Sequence, residues 1–143
     1  MQLCLEGFYV MSGHHYTVEL RFSGDSLDME RISREMMLEP STSLLPSMTA
    51  TGRRRGAVWG YDGYGEEGFV ERWSSLEEGL AFLFDKLDAK IRTIRELSKD
   101  YESIWWCGHF QSSFDGGPLL GTNIIEGLHK FGVPIFIDNY FSK

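Results

Sequence analysis

Between residues 16 and 22 apolar and polar side chains alternate without a break: Tyr16, Val18, Leu20 and Phe22 against Thr17, Glu19 and Arg21. That period of two predicts a strand buried on one face, because successive side chains of extended backbone point to opposite sides. A second alternation runs over residues 104–111. It sends Ile104, Trp106, Gly108 and Phe110 one way and Trp105, Cys107, His109 and Gln111 the other. Residues 57–61, centred on Val58 and Trp59, read as a further strand, and residues 133–141 as the last. Two shorter strands are expected. One covers residues 8–11 and turns at Ser12-Gly13; the other lies near residues 69–73, folded back by the turn Asp62-Gly63-Tyr64-Gly65.

Helical spacing appears in three places. Leu76, Leu80, Leu83, Leu87, Ile91, Ile94 and Leu97 follow one another at steps of three and four, behind a Ser74-Ser75 cap with Glu77 or Glu78 placed for a capping box. Gly24-Asp25-Ser26 caps a predicted helix over residues 27–38, with Leu27, Ile32 and Met36 inward and Pro40 as its stop. A shorter helix places Ile124, Leu128 and Phe131 on one side and ends at Gly132. Residues 40–57 show little periodicity and read as a long loop.

Strands and helices thus alternate, a pattern that a parallel doubly wound sheet would also produce. The polar faces on residues 16–22 and 104–111 argue against it, since buried parallel strands are apolar on both sides. The expected class is α+β: one domain over residues 1–143, with a mixed or mostly antiparallel sheet of four to six strands packed against three helices.

Composition narrows the function. A net charge of −7 opposes general binding to nucleic-acid phosphate and suits a basic partner. Two cysteines, Cys4 and Cys107, make neither a disulfide framework nor a CxxC zinc pair and fit a reducing compartment. The first residues lack a signal peptide's basic start and apolar run, and no stretch is apolar enough for a membrane span, so a cytoplasmic protein is expected.

No complete catalytic motif is present. Cys107 and His109 share a strand face, but zinc needs three or four ligands, so neither metal nor cofactor is expected. Neither a G-x-S-x-G elbow nor a phosphate loop occurs. An enzyme using His109 with Asp115 or Asp138 is the weakest reading.

A surface argument remains. With helices on one side of the sheet only, the other side shows Glu19 and Arg21 beside Trp105 and His109, with Phe136, Asp138 and Tyr140 from the last strand. Tryptophan, tyrosine and arginine dominate binding hot spots. Arg53-Arg54-Arg55, a basic cluster in an acidic chain, offers an anion or partner contact, and Trp59 and Asp115 complete the candidate set. The same face could equally pair two copies as a homodimer.

The blocks Trp105-Trp106-Cys107-Gly108-His109-Phe110, Phe114-Asp115-Gly116-Gly117-Pro118-Leu119, Phe131-Gly132-Val133-Pro134 and Asp138-Asn139-Tyr140 resemble the bacterial DUF4279 family. The helix–proline junction, the Arg-Gly loop and Trp59 extend the resemblance along nearly the whole chain. Gly121-Thr122 departs from it, standing where a Ser-Pro helix start is expected. The family transfers no reaction and no catalytic residue. By analogy of class, small acidic domains of this kind resemble immunity proteins that neutralise a toxin. The leading expectation is therefore a non-catalytic inhibitor that occludes a basic toxin domain. The alternative is a small-molecule or anion-binding module using the cleft beside the 40–57 loop.

Overall fold

The computed structural model describes residues 13–142, so the predicted strand at residues 8–11 and Cys4 lie outside the described residues. Strand β1 (His14–Gly24) is followed by helix α1 (Met29–Met36), three short strands β2 (Thr42–Leu44), β3 (Ser47–Met48) and β4 (Arg54–Arg55), then β5 (Ala57–Tyr61). Helices α2 (Leu76–Leu87) and α3 (Ile91–Asp100) form one helical run, tightened by a single 3₁₀ turn at Asp88–Lys90. Strand β6 (Glu102–Gln111), helix α4 (Thr122–Phe131) and strand β7 (Ile135–Phe141) follow.

Five strands make one mixed sheet in the order β2-β5-β1-β6-β7, and β3 and β4 make a separate two-stranded ribbon. All pairs in the large sheet are antiparallel except β6 with β7, which run parallel across the α4 connection. With helices in three units, this is a single α+β domain.

The leucine stripe behaves as its spacing predicts. Leu76, Leu80, Leu83, Leu87, Ile94 and Leu97 are all buried against the inner residues of β1, Tyr16, Val18, Leu20 and Phe22. Packed this way, each side chain is withdrawn from water at roughly 25 cal/mol per Å² of apolar surface. Ser75 caps α2 by accepting the Glu78 amide at 3.1 Å.

Three local expectations need correction. Helix α1 begins at Met29, later than residue 27, because the Asp28 side chain accepts the Arg31 amide at 3.0 Å and is the true cap. It ends at Met36, since Met37 adopts the left-handed conformation (φ 56°) that usually calls for glycine. Residues 69–73 form no strand against β5, whose two edges are already taken by β1 and β2. Trp73 makes a single bridge to Tyr16 instead, with backbone bonds of 2.9 and 2.8 Å. The 40–57 stretch holds β2, β3 and β4 where a structureless loop was expected. The weak start of α4 is as expected: Gly121 supplies no side-chain cap, and the Glu77 carboxylate of α2 accepts the Gly121 amide from outside the helix.

Candidate binding face

The helices cover one face of the sheet. β1 points Thr17, Glu19 and Arg21 to the other, and the β1–β6 register decides which residues of β6 join them. Glu19 pairs with Trp106 and Thr17 with Gly108, whereas Leu20 pairs with Trp105, Val18 with Cys107 and Tyr16 with His109. Paired residues share a face. Trp106 and Phe110 therefore stand beside Glu19 and Arg21, and the expected placement of Trp105 and His109 there is wrong. The parallel register adds Phe136, Asp138 and Tyr140, opposite Trp106, Gly108 and Phe110.

The centre of this face is held together by a buried carboxylate. Glu19 is only 6% exposed, and both its oxygens are used. One accepts from Arg21 Nε and the other accepts from the Thr42 hydroxyl at 2.6 Å. A buried charge needs such partners to offset its lost hydration. Gly60 makes the space: a Cβ there would sit 2.7 Å from the Glu19 carboxyl carbon. Held by Glu19, the Arg21 guanidinium lies 4.2 Å from the centre of the Trp106 ring, a cation–π arrangement.

Around this pair the aromatic side chains order one another. Phe110 and Tyr140 stack at 4.9 Å with planes 12° apart, and Arg72 sits 5.2 Å over Phe110. The Tyr140 hydroxyl donates to Asp138 at 2.6 Å, and that bond is the main reason its proton is held more tightly than a free phenol's. Phe136 and Tyr140 remain 50% and 42% exposed.

Between this face and the β2–β4 segment runs a groove of about 810 Å³. It is lined by Arg21, Val58 and Trp106 of the central strands, by Leu44 and Arg55 of the β2–β4 segment, and by Asp138 and Tyr140 of β7.

Of the residues singled out from sequence, Arg21, Arg55, Asp138 and Tyr140 line the groove and Glu19 lies beneath Arg21. Arg54 pairs with Asp25 at 3.2 Å, and Arg53 is exposed on the ribbon. Trp59 is buried in the core and donates its indole N–H to Ser33 at 2.9 Å. Trp105 is buried on the helix side against Phe84 and Phe131.

His109 is buried on that same side, at the sheet's end. Its ring stacks on Tyr16 at 4.7 Å, Nε2 lies 2.8 Å from His14 Nδ1, and Nδ1 lies 2.8 Å from Asn139 Oδ1. His14 in turn reaches the Asp115 backbone carbonyl. The ring nitrogens of His109 thus meet neither the Asp115 nor the Asp138 carboxylate. Cys107, beside it, is buried, which pushes its thiol up to about 12. Among the described residues no three histidine, cysteine, aspartate or glutamate side chains gather as a metal site, and no helix is long and apolar enough to cross a membrane.

The family model of the domain of unknown function DUF4279 matches residues 14–142. The chain belongs to the DUF4279 family. No curated protein and no solved structure matches it. The match takes in every described element, so the open face and the groove both lie within the DUF4279 domain.

Sequence reasoning missed Trp106, Phe110, Leu44 and Arg72 in this DUF4279 chain. In β6 the set Ile104, Trp106, Gly108 and Phe110 is the more apolar by composition, and so it reads as the core set. The deciding signal is pairing: the inner set must sit opposite Tyr16, Val18 and Leu20, and only the register shows which set does.

Proposed function

We propose that the chain is a non-catalytic binding protein of immunity type, which neutralises a toxin in the bacterial cytoplasm by covering it with the open sheet face. The supporting observation is the composition of that face. Trp106, Phe110, Phe136, Tyr140 and Arg21 crowd the side of the sheet that carries no helix among the described residues. Aromatic rings and arginine are the residues that carry most interface energy. They stand on paired strands and are braced by Glu19 and by mutual stacking, so little order is lost when a partner docks. Carboxylates gather on the neighbouring 62–71 stretch, at Asp62, Glu66, Glu67 and Glu71, and with the net charge of −7 they would speed encounter with a basic partner.

Capture from a lysate of the source cell tests this reading, with Phe136→Ala and Tyr140→Ala as face variants and Ile125→Ala, exposed on α4, as control. The expected result is one stoichiometric toxin-domain partner, held by the wild type and the control and released by the face variants. Retention of that partner by both face variants would overturn the use of this face. Absence of any partner from a lysate shown to contain the toxin would overturn the immunity reading.

The groove favours a second reading, a module for a small molecule or anion. Its volume lies in the range of small-molecule sites, and two arginines reach it.

A further inference from the structure

We infer that the groove between the open sheet face and the β2–β4 segment is a site for a small organic oxyanion, a phosphate or carboxylate head carried on a flat ring. The inference rests on the second reading above and assigns its ligand.

The head group follows from the arginines. Arg21 spends its Nε on Glu19 and its face on Trp106. Among the described residues its two terminal nitrogens meet no acceptor, and they are fixed in direction by those two contacts. A guanidinium so held presents a fork that matches the paired oxygens of a carboxylate or phosphate. Arg55 also lines the groove, and its side chain makes no ion pair or hydrogen bond among the described residues, unlike its neighbour Arg54, which is engaged with Asp25. Ser23 and Ser47 also belong to the lining, and their hydroxyls make no hydrogen bond among the described residues. Two guanidinium groups with unused donors and two hydroxyls therefore line one groove in a chain of net charge −7.

The ring follows from the rest of the lining. A space of about 810 Å³ is far too roomy for a bare inorganic anion. Beyond the arginines it is walled by Leu44, Leu45, Val58, Trp106 and Tyr140, apolar or aromatic surfaces that gain from covering a flat ligand. Asp138, already accepting from Tyr140, lines the groove as well, so a ligand carrying a second anionic group is disfavoured. The lining thus suits a ligand with one anionic head for the Arg21 and Arg55 guanidinium groups and a flat apolar remainder for the aliphatic and aromatic surface around them.

Phenyl phosphate carries both parts and serves as the probe, with inorganic phosphate and phenol as single-part arms. The readout is NMR titration of the full chain in a phosphate-free buffer, following the Trp106 indole N–H and the Arg21 side chain. Phenyl phosphate is expected to shift both signals and to bind about tenfold more tightly than either arm, as expected for a charge-assisted contact added to ring burial. Arg55→Gln should weaken it about fivefold or more, whereas Arg53→Gln, on the same ribbon outside the groove lining, should leave it unchanged. No shift of either signal at about 10 mM probe, where even millimolar binding registers, overturns the proposal. Equal affinity for phenyl phosphate and inorganic phosphate overturns it too, as does equal weakening by both arginine variants, which would mean diffuse charge. These outcomes are independent of partner capture, so the groove and the immunity reading can fail separately. Preserved dispersion in the Arg55→Gln spectrum verifies that the variant is folded.

Discussion

Trp105 and Trp106 are neighbours in β6, yet they stand on opposite faces of one sheet and meet different surroundings. Trp105 is fully buried, edge-on to Phe84 and Phe131 at 5.2 and 5.3 Å, and is enclosed by apolar side chains on the helix side. Its indole N–H has no hydrogen-bond partner among the described residues, so hydrophobic packing alone accounts for its place. Trp106 faces the open side, where a guanidinium covers it and Tyr140 approaches at 6.5 Å. The first side chain serves the fold. The second belongs to the partly exposed surface proposed above as a recognition face. Burial and polarity of surroundings, not residue type, separate the two roles.

That contrast can be broken most directly by truncating each ring. Trp105→Ala should cost about 3–5 kcal/mol in urea unfolding, the usual loss for a fully buried large aromatic. Trp106→Ala, a partly exposed ring, should cost only about 1 kcal/mol while weakening whatever the face binds. Equal destabilisation by the two would show that the open face is a second core and would sink its reading as a recognition surface.

The helix-side thiol gives the next largest effect. Burial raises Cys107 from 9.0 to about 12. Above pH 9 the unfolded chain releases this proton and the folded chain does not. The stabilisation is therefore fully present below pH 9 and is lost as pH rises toward 12, at up to about 1.4 kcal/mol per pH unit. Tyr16 and Tyr61, raised chiefly by burial, act in the same direction at higher pH. Cys107→Ala should flatten the alkaline limb of stability against pH, and an unchanged slope would show that the thiol titrates freely in the folded protein.

The open face has its own packing constraint, smaller in size. Gly60→Ala places a methyl against the Glu19 carboxylate and should cost roughly 1–3 kcal/mol. In a Glu19→Ala background the same change should cost much less. Additive losses in that double-mutant cycle would mean that Gly60 is required for another reason. At the bottom of the scale, Arg54→Ala removes an exposed pair with Asp25 and should change stability by less than about 0.5 kcal/mol. A larger loss would give the β3–β4 ribbon a structural weight that its exposure does not suggest.

Much of the fold was legible because its signals are local. The β1 alternation, the leucine stripe and the Ser75 cap each depend on residues within a few positions of one another. The family resemblance likewise rests on contiguous blocks. Part of the candidate site was legible for the same reason: Glu19, Arg21, Asp138 and Tyr140 take their face from alternation inside one strand. The errors lie where two segments must be aligned. Trp105 and His109 were assigned to the open face because their set, with Cys107 and Gln111, is the more polar by composition, and alternation alone gives no sign of which side is inner. The partner of Trp73 was β1, not β5, because β5 was already paired on both edges.

The sequence by itself determined the long strands and the helices, the α+β class and the family, since hydrophobic period and capping act over one or two turns of chain. Only the tertiary structure decided which β6 tryptophan faces the helices, that Glu19 holds Arg21 over Trp106, and that Arg55 of β4 lines the same groove. A one-residue change in strand register exchanges the two faces completely, and register is set by pairing between strands that are far apart in the chain, as Tyr16 with His109.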